Sequence, residues 1–297
     1  TEGKRFPFPD QYCNRRNCRQ NCFTQERHGT MKITIITVSY NSAETIRDTI
    51  ESVLRQTYAD IEYVVIDGAS TDGSTDILRE YEPKFGGRMR WVSEPDGGLY
   101  DAMNKGIAMA NGEYLGFLNS DDFYTSSRSI EVIAQELERT GVDAVYGDIH
   151  FVRPSDPKRC VRYYSSKLFH RRWIRFGFIP AHPSFYCKKS VYEKFGGFDT
   201  QYRIAADFDC LTRFIFLNRI STHYIPMDFV TMRTGGASTA GIESRMKIMR
   251  EHLSILKSHG IYSNSFVLSL RYLYKIFEKY FGRMVFGYKT PVSVTKF

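Results

Sequence analysis

Residues 93–124 read SEPDGGLYDAMNKGIAMANGEYLGFLNSDDFY, and this stretch decides the fold. It has three parts: a Gly-rich loop (Asp96, Gly97, Gly98), a segment from Leu99 to Ala110 with helical spacing, and an apolar run. The run, Tyr114 to Leu118, enters Asn119-Ser120-Asp121-Asp122 directly. Carboxylates at the carboxyl end of a buried strand stand where open α/β sheets keep their ligand crevice. A pair of them suits a hard divalent cation, which takes oxygen ligands and commonly bridges to phosphates. The same pair could instead cap the helix that starts near Ser126 and Ser127.

Working back toward the N-terminus, Met89 to Val92, Ile61 to Ile66 and Lys32 to Ser39 each read as buried strands rich in β-branched residues. Ala43 to Gln56 and Thr75 to Tyr81 lie between them with helical spacing. Toward the C-terminus, Ile130 to Leu137 reads as helix and Ala144 to Phe151 as strand. Strands alternating with helices through short loops predict an α/β fold with a doubly wound, mostly parallel sheet. Beyond Phe151 the pattern loosens into a smaller mixed region. Val161 to Tyr164 is expected as an antiparallel strand and Ser184 to Cys187 as a short strand. Ala205 to Leu217 reads as a helix, Thr222 to Ile225 and Asp228 to Met232 as two short strands around Pro226, and Ile242 to His259 as a long helix.

The chain has 297 residues, 42% hydrophobic and 25% charged, which is ordinary globular composition. Its net charge of +8 fits an anionic substrate or an anionic membrane surface; nucleic acid is not expected. No run of about 18 apolar residues is present, so no bilayer-spanning segment is expected. Six cysteines in a chain of this size do not read as a disulfide framework and favour a reducing, cytoplasmic compartment. Residues 1–30 lack periodic pattern and read as a disordered leader. Cys13, Cys18 and Cys22 with His28 fit no standard zinc spacing. Residues 266–288 combine aromatic and aliphatic side chains with Arg271, Lys275, Lys279 and Arg283 at every fourth position. That pattern suits a helix lying in an anionic membrane interface, or equally one packed on the domain.

Several acidic groups fall at strand ends: Asp67, Asp96, and Asp121 with Asp122. A nucleoside diphosphate accounts for the set, with Thr37, Ser39 and Tyr40 after the first strand holding the base, and a metal on Asp121 neutralising the diphosphate. No GxGxxG opens the first helix and no GxxxxGK[ST] occurs, which argues against a dinucleotide or a P-loop nucleotide.

Five segments, TVSYNSAETI from Thr37, VIDGASTDGSTDIL from Val65, the stretch from Glu94 to Asp122, HPSFY from His182, and GGFD with AADFD from Ala205, resemble the family 2 glycosyltransferases in order and spacing. The resemblance runs from about Met31 to Arg233 and is strongest to bacterial enzymes that build surface polysaccharides. It implies a GT-A domain over 31–235, with a nucleotide-sugar half at about 31–125 and an acceptor half at about 126–235, followed by a helical extension over 236–297. It further implies that Asp67 and Asp96 contact the nucleotide and that Asn119 and Asp121 occupy the outer positions of the Asp-x-Asp metal motif, with Asp122 beside them. Asp207 matches the catalytic base. Gly98, Asp101, Asn104 and Ser120 complete the nucleotide-sugar set, with Mn2+ or Mg2+ as cofactor and His182 and Asp209 on the acceptor side. Two positions depart from the pattern: Asn119 stands where an Asp is usual, and Met103 where many relatives carry Arg, with Lys105 as a substitute cation.

The resulting expectation is an inverting transfer from a nucleoside-diphosphate sugar to a hydroxyl of a lipid-linked or glycan acceptor. The enzyme would be cytoplasmic and peripheral on the inner face of the membrane. A sugar nucleotidyltransferase and a silent sugar-nucleotide-binding assembly partner are the competing readings.

Overall fold

The structure, a computed structural model, describes residues 31–235 and 242–273, all within one compact unit that begins at Met31. The expected leader, with its three cysteines and His28, lies outside the described residues. Strand β1 (Ile33–Ser39) is buried along its whole length, as is β2 (Ile61–Asp67), which pairs parallel to it from Ile33↔Ile61 to Ser39↔Asp67. A strand covered on both faces needs apolar residues at almost every position, and ITIITVS and IEYVVID supply them. Strand β3 (Met89–Ser93) extends the parallel set beyond β2, and β4 (Tyr114–Phe117) flanks β1 on its other side.

Helices cover both faces. On one, α1 (Ile46–Leu54), α2 (Ser74–Tyr81) and α4 (Ser129–Thr140) bury Ile46, Ile50, Leu78, Ile130 and Ile133 against Ile33, Ile35, Tyr63 and Val65. On the other, α3 (Leu99–Met109) sets Tyr100 and Met103 against Ile36, Val38, Val64 and Ile66. The odd and even positions of β1 and β2 thus serve different layers, as the period of two requires.

A single sheet of nine strands runs in the order β3-β2-β1-β4-β8-β6-β9-β5. It is completed by β5 (Phe123–Tyr124), β6 (Ala144–Arg153), β7 (Asp156–Tyr164), β8 (Tyr186–Lys188) and β9 (Thr222–Arg233), with β7 paired to β6. Strand β8 runs antiparallel to both β4 and β6, joining the parallel half to the mixed half. The two short strands expected around Pro226 are in fact one, β9. Between Tyr146↔Tyr224 and Asp148↔Asp228 its register slips, so Pro226 sits in a bulge where its missing N–H interrupts no ladder bond.

Where β4 meets β8 the chain has no room for a side chain at Gly116. A Cβ there would lie 2.1 Å from the ring of Tyr186. That ring is fully buried and fixed by a 2.5 Å bond between the Tyr186 and Tyr124 hydroxyls. Gly116→Ala is therefore expected to cost about 3 kcal/mol through overpacking, lowering Tm by roughly 6–12 °C in a thermal melt.

The mixed half carries α5 (Lys189–Phe195), α6 (Ala206–Leu211) and α7 (Ile242–Ser258). Helix α6 continues into a wide turn, Thr212–Leu217, and residues 265–273 form a further helix. Arg271 was expected on an outward basic stripe; instead it is buried, and its guanidinium donates to His252 Nδ1 at 2.9 Å. It lies against Gly177, where a Cβ would come within 2.7 Å of the Arg271 guanidinium. The described part of that helix therefore packs on the domain, and Lys275, Lys279 and Arg283 lie outside the described residues. No helix among the described residues is long and apolar enough to cross a membrane.

Candidate active site

The register of the parallel strands puts Ser93, Asp67 and Ser39 side by side at their carboxyl ends. Leu118, hydrogen-bonded to Ile36 O at 2.9 Å, carries β4 on toward Asn119 at the same edge. Asp67 is fully buried. It accepts from the Ser70 N–H at 2.9 Å, the Ser70 hydroxyl at 2.5 Å and the Ser93 hydroxyl at 2.7 Å. A carboxylate offers about four lone-pair positions, so Asp67 chiefly shapes the loop and has little capacity left for a base. Thr37 is likewise buried, with its hydroxyl taken by Tyr63 at 3.1 Å. By contrast, Ser39 Oγ is buried with no partner among the described residues, and the neighbouring Tyr40 ring is exposed.

Asp96 and Gly68 form the wall beside Tyr40. A Cβ on Gly68 would fall 2.7 Å from an Asp96 carboxylate oxygen and 3.4 Å from the Tyr40 ring, so a side chain there would displace the Asp96 carboxylate. Asp96 accepts from the Gly98 N–H at 2.8 Å, and Gly98 takes φ +113°, which favours glycine. Asp101 reaches back to the Gly97 N–H at 2.9 Å, bracing the start of α3. Lys105 is engaged by Glu94 at 2.8 Å and by Pro95 O at 3.0 Å, so it ties down the loop and does not stand free as a phosphate contact. Met103 is core.

Asn104, expected among the sugar-nucleotide contacts, has its amide committed elsewhere. Its Nδ2 donates to Phe198 O and its Oδ1 accepts from Phe198 N, both at 2.8 Å. It stitches α3 to the Gly196–Asp199 turn.

At the end of β4, Asp122 is almost wholly buried. It accepts from the backbone N–H of Arg233 at 3.2 Å and from Asn119 Nδ2 at 3.4 Å. Burial and the neighbouring Asp121 charge push its carboxyl well above the usual carboxylate range. Asp121 is also raised by burial, with Arg233 opposing the shift. Arg233 donates to Asp121 O and pairs with Asp48, a residue pair not anticipated from sequence. Ser120 bonds Ser42 through their hydroxyls at 2.8 Å, fixing this loop to the start of α1.

No group of three or more His, Cys, Asp or Glu among the described residues could hold a metal ion alone. The donor set still fits one that shares its coordination with a diphosphate. Asn119 Oδ1 is buried with no partner among the described residues, and Asp121 is half-buried with a destabilised charge beside it. Magnesium-type sites commonly use only one or two carboxylates plus substrate phosphates.

Asp207 opens α6. Desolvation raises its carboxyl to about 6, opposed by the Phe208 N–H, which donates to it at 2.8 Å, and by the Tyr100 hydroxyl. Tyr100 itself donates to Ile204 O at 2.8 Å, so α3 reaches from the Asp96–Gly98 loop to the base of α6. Asp209 is locked by Arg213 at 2.8 Å and His259 at 2.7 Å. Both of its oxygens are thus engaged, and it supports α6. His182 packs against a tilted Phe117 ring and edge-on to Phe198; burial lowers it to about 4, leaving a neutral ring whose Nε2 has no partner among the described residues. Residues 167–175 carry exposed Arg171 and Arg172 but are anchored through buried Ile174.

A parallel half-sheet with acidic strand-end loops, joined through one helix to a mixed half that carries a desolvated carboxylate, defines the GT-A class of fold. The description "Glycosyl transferase family 2" matches residues 34–195, more than half of the chain. An uncharacterised glycosyltransferase of Mycobacterium tuberculosis is 35% identical over 191 residues, 61% of this chain and 68% of that protein. A PGL/p-HBAD biosynthesis glycosyltransferase of Mycobacterium bovis is 31% identical over 192 residues, 64% and 72% of the two chains. The S. aureus TarS fragment 1–349 in complex with UDP-GlcNAc superposes with a TM-score of 0.63 at 18% identity, covering 86% of this chain and 76% of that one. A mannosyltransferase of Pyrobaculum calidifontis bound to GDP-Man and Mn2+ gives 0.56 at 16% identity, covering 86% and 83%. The chain belongs to glycosyltransferase family 2.

Proposed function

We propose that this protein is an inverting glycosyltransferase that moves a sugar from a nucleoside-diphosphate sugar to a hydroxyl of a lipid-linked or polysaccharide acceptor. The observation that carries the reading is the Asp207 carboxyl. It is desolvated and raised to about 6, and the loop before it is tied by the Tyr100 hydroxyl to α3, the helix that follows the Asp96–Gly98 loop. A base with a pKa near the working pH is the most effective kind.

In the proposed reaction the acceptor hydroxyl attacks the anomeric carbon as its proton passes to an Asp207 oxygen. The bond from that carbon to the diphosphate oxygen breaks, and the nucleoside diphosphate leaves with the electron pair. Ser39, Tyr40 and Asp96 bind the nucleoside end, and the neutral His182 ring presents its Nε2 to a sugar hydroxyl. Asp121, with Asn119 Oδ1, would hold Mn2+ or Mg2+, which when bound stabilises charge on the departing diphosphate. Asp122 holds Arg233 and the loop, and so supports Asp121 without ligating. Asp67, Thr37, Asn104 and Ser120 shape the site.

The fold likeness to donor-bound enzymes supports a UDP- or GDP-sugar; the acceptor class rests on the sequence resemblance, and a peripheral place at the inner face of a membrane on the net charge and the pattern of residues 266–288. A thermal-shift panel of UDP, GDP, dTDP and CMP with and without Mn2+ tests the donor site. One nucleoside diphosphate is expected to raise Tm, and more so with the metal, by mass action on the native state. A folded sample that responds to none would overturn the reading.

A further inference from the structure

Glu251, in the middle of α7, lies 44 residues past Asp207, yet its carboxylate grips the loop that leads into Asp207. One oxygen accepts from the Arg203 N–H at 3.2 Å; the other accepts from the Ile204 N–H at 3.0 Å and the Ala205 N–H at 2.9 Å. Three successive backbone donors converge on one side chain from a different element. Helix α6 begins one residue later, at Ala206, and Asp207 is in its first turn. The carbonyl of this loop is held from the other side, by the Tyr100 hydroxyl on Ile204 O.

Two more residues of the C-terminal region meet the same run. The His252 ring stacks on Phe208 with centroids 3.9 Å apart and planes at 11°. His259, just past the end of α7, bonds Asp209. Asp207, Phe208 and Asp209 are thus each flanked by a group from residues 251–259: Asp207 through its preceding loop, Phe208 by its ring and Asp209 by its carboxylate.

We propose that Glu251 is the positioning residue for the catalytic base: it fixes residues 203–205, and through them the orientation of Asp207, so that α7 completes the active site. This rests on the reading of Asp207 as base. A helix that only packed on α6 would need apolar contacts; it would have no need of a carboxylate with three backbone N–H groups on it. Misplacement of a reacting group by about an ångström can cost on the order of 100-fold in rate.

The test compares Glu251→Ala, Glu251→Gln, Asp207→Asn and the double variant Asp207→Asn/Glu251→Ala, using release of nucleoside diphosphate with the donor identified by the nucleotide panel. Glu251→Ala is expected to lower kcat about 100-fold while donor KM stays within about threefold. Glu251→Gln keeps an oxygen for the Ile204 and Ala205 N–H groups and is expected to recover at least tenfold of that loss. The double variant is expected to be no slower than Asp207→Asn alone, because a residue that acts through Asp207 has nothing left to position. Equal fractional losses from Glu251→Ala in both backgrounds, a parallel rise in KM, or full activity in Glu251→Ala beside an inactive Asp207→Asn would each overturn the proposal. Full activity of Asp207→Asn would instead remove the base assignment on which it stands. Should Glu251→Ala fail to fold, the Glu251→Gln variant in the two backgrounds carries the same comparison.

Discussion

Asp207→Asn is expected to lower kcat about 10³-fold with donor affinity unchanged, since loss of a general base typically costs 10²–10⁴. The substitution is nearly isosteric, and an Asn oxygen can still accept the Phe208 N–H that now bonds Asp207 at 2.8 Å. The variant is also expected to gain stability, and the sign can be worked out. The folded carboxyl titrates at about 6 against a reference of 3.8, so the native state prefers the protonated form. That preference stabilises the fold below pH 4 and is lost as pH rises to about 6. At pH 7 the ionised group therefore costs the fold up to about 3 kcal/mol, from some two pKa units at 1.36 kcal/mol each. Removing the charge should raise Tm at pH 7 and leave it little changed at pH 4. In the wild type the same titration predicts a kcat/KM that climbs with pH through about 6 and then levels off. An inactive variant with a raised Tm separates loss of chemistry from loss of structure.

The second large effect is expected at Asp121. Asp121→Ala should reduce kcat/KM about 10³-fold and leave nucleoside diphosphate binding insensitive to Mn2+, a loss of several kcal/mol of charge stabilisation. Calorimetry of UDP or GDP binding with metal and with chelator reads it directly. Wild-type protein should bind more tightly with metal, and the variant should bind equally in both. An Asp121→Ala variant that retains a metal response would mean that other groups hold the cation. Asp122→Ala should differ in kind, losing stability as well as activity, because its buried carboxylate ties down Asn119 and the Arg233 backbone.

The parallel half-sheet was legible because its strands are covered on both faces, which forces largely apolar runs such as Tyr63 to Ile66 with little room for another reading. The stretch from Asp96 to Asp122 was equally plain, since loop, helix and strand each carry their own signature. Strand β9 was read as two pieces because Pro226 normally ends a strand; only the partner β6 reveals the bulge that accommodates it.

The site divides along the same line. Asp96, Asp121, Asp207 and His182 announce themselves as polar groups in apolar or turn contexts. Asn104 and Asp67 looked identical in kind, yet much of their hydrogen-bonding capacity goes to Phe198 and to Ser70 and Ser93. Sequence shows which groups can bond but not which are already bonded. Glu251 and Arg233 were invisible for a related reason. Each is one charged residue in an amphipathic or strand pattern, and its meaning lies wholly in a partner far away in the chain. Arg271 failed in the opposite direction, since periodic spacing with other cations concealed a buried bond to His252.

The most direct measurement pairs two readings on one purified variant, Asp207→Asn: the dissociation constant for the nucleoside diphosphate selected by the panel, and the single-turnover rate of transfer from the matching sugar nucleotide. The account predicts a dissociation constant within about twofold of wild type and a transfer rate lower by about 10³-fold. Transfer at the wild-type rate with binding intact would contradict it and assign the proton to another group.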